Sequence, residues 1–149
     1  MSHQVRNTYA SLFSGLVMFV LYFWRISYLF EQGRFEGAEA MSLLAKTFLL
    51  MIPVGIIATV ISMILFSILF AIAARDGNPS FVIDERDRLI ELRALRWSYY
   101  IFGAGFICSM IALAFGHTAF TVFNLIIGSL MLATIAEGLI QLAMHRRGY

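Results

Sequence analysis

The sequence predicts an all-α integral membrane protein, a four-helix bundle with both termini on one side (N-in/C-in). Three observations carry that prediction. The chain has 149 residues, of which 60% are hydrophobic and 13% charged, with a mean hydropathy of +0.82; a soluble domain of this size has too little interior for so much apolar surface. Four runs of span length are nearly free of charge, at residues 9–30, 47–74, 97–115 and 119–144. Outside those runs, Arg6, Arg75, Arg86, Arg88, Arg93, Arg96, Arg146 and Arg147 fall on one side of a four-span layout, while only Arg34 and Lys46 fall on the other. The positive-inside rule then leads us to expect a multi-pass membrane protein with both termini and residues 75–97 in the cytoplasm.

The first run, 9–30, carries a single charge, Arg25. Tyr22-Phe23-Trp24-Arg25 stands where a signal peptide would need small residues for cleavage, so the run is expected to remain as a span. A polar loop with Gly33 and Gly37 follows. The second run, 47–74, has no charge and as a helix is roughly 42 Å long against a hydrocarbon core of ~30 Å. It must tilt or protrude, and Pro53 inside it frees one backbone carbonyl. Arg75-Asp76-Gly77-Asn78-Pro79 is a turn signal. From Asp84, a possible N-cap, to Trp97 the chain reads as a charged helix running into the third span as a cytoplasmic extension. Gly116-His117-Thr118 turns tightly into the fourth span. Arg6, Tyr9 and Gly15 recur as Arg96, Tyr99 and Gly105 at one offset, a faint echo of a parallel duplication.

On a helical wheel the extension is sorted by sign. Asp84, Asp87 and Glu91 form one stripe and Arg86, Leu89, Arg93 and Arg96 another. The acidic stripe is the expected docking surface for a cytoplasmic protein, and Arg86, Arg93 and Arg96 are expected to face lipid phosphates. Gly105, Ser109, Ala112 and Gly116 make a small-residue stripe, which points to close helix packing, with a homodimer interface as the other use. Arg25 and Asn124 share a depth and could pair, although an Arg snorkelling to the interface needs no such partner. Glu137 lies about two turns inside the fourth span and needs hydrogen-bond partners, expected among Tyr9, Ser11, Ser67, Tyr99 and Tyr100, or an Arg reaching from the rim.

Other chemistry finds no support in the residues. Cys108 is alone, so no intramolecular disulfide forms, and His3, His117 and His145 lie in three separate polar segments with no metal or haem spacing. No phosphate loop and no grouping of nucleophile, base and acid at one depth is present, so no enzyme and no cofactor is expected. A net charge of +2 gives no surface for direct nucleic-acid binding.

The run Asp84-Glu85-Arg86-Asp87, followed by Leu89-Ile90, Arg93-Ala94 and Tyr99-Tyr100, resembles small prokaryotic four-helix membrane proteins with such a box before the third span. The likeness covers residues 80–100 and the four-span layout. Because those proteins are often encoded beside a helix-turn-helix regulator, the resemblance implies a regulatory or scaffolding protein with a cytoplasmic partner, a transcription regulator among the candidates. The alternative is a small dimeric transporter or channel using Glu137. It resembles the small four-span multidrug exporters in span count and one buried acid, yet their essential Glu lies in the first span, where this chain has none.

Overall fold

The computed structural model describes residues 3–35, 37, 39–74 and 85–147. It is all-α: α1 (His3–Glu31), α2 (Ala40–Ala74), α3 (Glu85–Ala114) and α4 (Ala119–Arg146). Each helix is long and apolar enough to cross a membrane. The turn at residues 75–79 and the N-cap role of Asp84 lie outside the described residues. α1, α2 and α3 begin earlier than the apolar runs do, because the residues before each run, polar in α1 and α3 and mixed in α2, continue the hydrogen-bonded pattern. α2 continues through Pro53 as one helix of 35 residues.

Both short connections end a helix on glycine. Gly33 (φ 67°) follows α1, with Arg34 N–H donating to Leu29 O and Gly33 N–H to Phe30 O. Gly116 (φ 84°) follows α3, with His117 N–H donating to Ala112 O and Gly116 N–H to Leu113 O. These are paired Schellman bonds, which need a residue in the left-handed region. Thr118 then caps α4, its hydroxyl accepting from Thr121 N–H at 3.3 Å. Gly116 therefore serves the turn. A Cβ built on it would meet nothing within 4 Å, which removes it from the expected packing stripe.

The helices lie side by side in the order α2, α1, α4, α3. α1 packs on α2 and α4, and α3 packs on α4 with no extended contact to α1 or α2. In the apolar stretches of α1 and α4, 22% of residues are buried, against 6% for α2 and α3, so the first pair forms the middle and the second pair the flanks. The α1–α4 pairing has no α3–α2 counterpart among the described residues, so the packing does not repeat the echo between residues 6–15 and 96–105.

Each seam has its own chemistry. α1 meets α2 through rings, with Tyr9 and Phe13 6.5 and 6.0 Å from Phe66. α1 meets α4 where Gly138 admits Leu12 and Gly128 admits the Phe23 ring. α3 meets α4 where Gly105 lies directly against the Ser129 side chain. Ser109 is fully buried and donates to Gly105 O at 2.8 Å, and Ala112 is half-buried. A glycine against a serine side chain is the close helix approach that small residues permit. The main apolar core, Tyr22, Ile26, Leu44 and Ile127, lies toward the other end, closed by Phe35 and Phe120 with centroids 4.5 Å apart.

Candidate functional site: a polar seam at the arginine end

α4 carries three polar side chains at four-residue spacing, Glu137, Gln141 and His145, and this spacing keeps them on one face. That face is turned between α1 and α3. Thr8 of α1 donates its hydroxyl to Gln141 Oε1 at 2.9 Å, and Gln141 Nε2 donates to Glu137 Oε1 at 3.2 Å. The Ser98 hydroxyl of α3 comes within hydrogen-bonding reach of the Glu137 carboxylate, and Glu91, two turns earlier on α3, bears on it as a like charge. At the rim, His145 Nδ1 lies 2.8 Å from Gln141 O and its Nε2 3.3 Å from Asp87 Oδ1. The seam joins three helices at one end of the molecule.

The His145 ring stands between the Gln141 carbonyl oxygen and the Asp87 carboxylate, and so links the last turn of α4 to the first turn of α3. Side-chain exposures of 14% for His145 and 15% for Asp87 keep water from replacing this link freely.

The expected site residues fall into three groups. Asp87 and Glu91 do lie together on one side of α3, but that side leans toward α4. Asp87 is held by His145, whereas Glu91 remains exposed, and Asp84 is outside the described residues. Arg86, Arg93 and Arg96 are exposed on the side of α3 turned away from α4. Glu137 is half-buried with partners, although these are Gln141 and Ser98 in place of the residues expected. Tyr9 is instead stacked on Phe66 and Phe70, and Tyr99 and Tyr100 are exposed.

Arg25 and Asn124 do not pair. Asn124 accepts from the buried Tyr22 hydroxyl at 3.0 Å and donates to Phe120 O at 2.9 Å. Arg25 is exposed, with its guanidinium 5.9 Å from the centroid of the Tyr28 ring. The reason is register: Tyr22 occupies the buried face of α1 and reaches Asn124 first, while Arg25 points outward toward the interface.

The charge asymmetry is spatial as well as sequential. Contacts of Thr8 with Gln141 and of Asp87 with His145 bring Arg6, Arg86, Arg88, Arg93, Arg96, Arg146 and Arg147 to the same end, away from Arg25, Arg34 and Lys46. A groove of about 490 Å³ opens between α2 and α4 over α1. Ser14, Gly55, Thr59 and Thr134 are among its lining residues, and Glu137 is not. Among the described residues no group of three or more His, Cys, Asp or Glu could hold a metal ion. Comparison with protein-family models, with curated proteins and with solved structures finds no match to this chain.

Proposed function

We propose that this chain is a regulatory or scaffolding membrane protein that docks a cytoplasmic protein at its arginine end, both termini being cytoplasmic. The observation that supports this reading is the sign-sorted end of α3. Its acids lie toward the α4 seam, its arginines point away, and the Asp87–His145 link holds the first turns of the helix in a fixed place. A surface held before binding loses less ordering entropy on docking. Asp87 and Glu91 form a local acidic strip beside a rim otherwise rich in arginine. A basic, DNA-binding regulator suits such a strip, which would compete with nucleic-acid phosphates for it.

The transporter alternative draws less support from the same geometry. Glu137 is tied to Gln141 and Ser98 near one end and stands outside the groove, whereas a transport site belongs near the midplane facing a cavity. Affinity purification from membranes tests the docking reading. Changing Asp84 and Asp87 to Asn and Glu91 to Gln together should remove the co-purifying cytoplasmic protein while leaving insertion intact. Recovery of the same proteins with and without the three changes would refute it.

A further inference from the structure

The outer side of α3 is shaped like the lipid it would meet. Arg93, Arg96, Tyr100, Gly103 and Ile107 follow at spacings of three and four, which puts them on one face. This face is turned away from the buried residues Ile90, Ala94 and Ser109, and α3 has no extended contact except with α4. Arg93, Arg96, Tyr100 and Ile107 are all exposed. Reading from the rim inward, the stripe presents two guanidiniums, an aromatic ring, a gap and then aliphatic surface. The gap is Gly103, where an added Cβ would meet nothing within 4 Å. Trp97 flanks the stripe, edge-on to Tyr100 at 5.9 Å. From Arg96 to Ile107 the helix rises roughly 16 Å, enough to follow an acyl chain through much of one leaflet.

The charge on this stripe has one sign. Asp87 and Glu91 lie on the α4 side, and among the described residues no ion pair engages Arg93 or Arg96. Two arginines three residues apart place their heads close enough to share one phosphate, and a guanidinium binds phosphate oxygens with paired N–H donors. Aromatic side chains just inside the arginines match the depth at which Tyr and Trp sit in an interface. We propose that this stripe is a binding site for an anionic phospholipid, with the headgroup phosphate on Arg93 and Arg96 and one acyl chain lying along Tyr100, Gly103 and Ile107. The site is on the opposite side of α3 from the acidic strip, so it does not depend on the docking reading.

Trp97 supplies the readout. In the full chain carrying Trp24→Phe, Trp97 is the only tryptophan. The protein is reconstituted in phosphatidylcholine vesicles containing a minor fraction of lipid with brominated acyl chains, which quench a neighbouring indole. Brominated phosphatidylglycerol should quench Trp97 as if enriched beside it by about five-fold or more over brominated phosphatidylcholine, the scale set by one arginine near an anionic surface. Arg93→Gln with Arg96→Gln should abolish the difference, and Arg93→Lys with Arg96→Lys should keep part of it. In the complementary Trp97→Phe chain, Trp24 should be quenched equally by both lipids. Equal quenching of Trp97 by the two lipids in the parent chain overturns the proposal, as does a preference that survives the Gln substitutions. Loss of the preference on adding inorganic phosphate, but not chloride at equal ionic strength, would assign the arginines to free phosphate and also overturn it.

Discussion

His145 contacts both Gln141 O and Asp87, and so links the last turn of α4 to the first turns of α3. Hydrogen exchange of the α3 amides 85–94 should therefore quicken in His145→Ala, and a His145→Ala protein with unchanged protection would show that the link does not hold the helix. Deeper in the seam, Glu137→Gln keeps an acceptor for Gln141 and should alter stability little. Glu137→Ala strands Gln141 and Ser98 and should cost about 1–2 kcal/mol, the scale of membrane hydrogen bonds, in detergent unfolding. The position of Glu137 was readable from sequence because a charge in a span needs a partner. Its nearest partner, Gln141, was missed, although the signal was there four residues on along the same helix. Ser98 was missed as well, because depth alone does not say which face of α3 meets α4.

At the scale of the helix, three glycines that look alike in sequence separate by what stands opposite them. A Cβ on Gly105 would collide with the Ser129 side chain on a facing helix, so Gly105→Ala must push α3 from α4. It should cost about 1–3 kcal/mol, the usual scale of overpacking. On Gly138 the obstacle is the Leu12 side chain, whose Cδ1 would lie at 2.7 Å and can turn aside in part, so Gly138→Ala should cost less. Gly103→Ala meets open space and should be neutral or slightly stabilising through helix propensity. Thermal unfolding of the three variants in one detergent checks the order, and a Gly103→Ala protein less stable than Gly105→Ala would contradict the α3–α4 seam. Of the small residues picked out by their period, Gly105 lies against Ser129 and Ser109 is buried. The period misplaced Gly116 because a glycine that ends a helix falls on the same period as one inside it, and only the φ of 84° tells them apart. The helix starts were displaced for a related reason: apolar runs mark the membrane, whereas hydrogen bonding continues through Val5, Arg6 and Ala40 beyond it.

For the whole molecule, the number of helices and their membrane length followed from hydropathy, since each apolar run is long enough to span as a helix. Lateral order did not. All four helices are apolar around most of their circumference, so hydropathy carries no direction, and the order α2, α1, α4, α3 rests on particular fits: Tyr22 to Asn124, Leu12 to Gly138, Gly105 to Ser129. With the helices in that order, seven arginines of the described residues gather at one end. The proposed function takes that end as cytoplasmic, which is what the positive-inside rule expects, and the docking strip depends on which side of the membrane it meets. The most direct measurement is labelling of a single cysteine. With Cys108 replaced by Ser and Asn78 by Cys, an impermeant thiol reagent should leave intact cells unmarked at position 78 and label it only after the membrane is opened. Full labelling of position 78 in intact cells would put the arginine end outside and contradict the proposed function at its root.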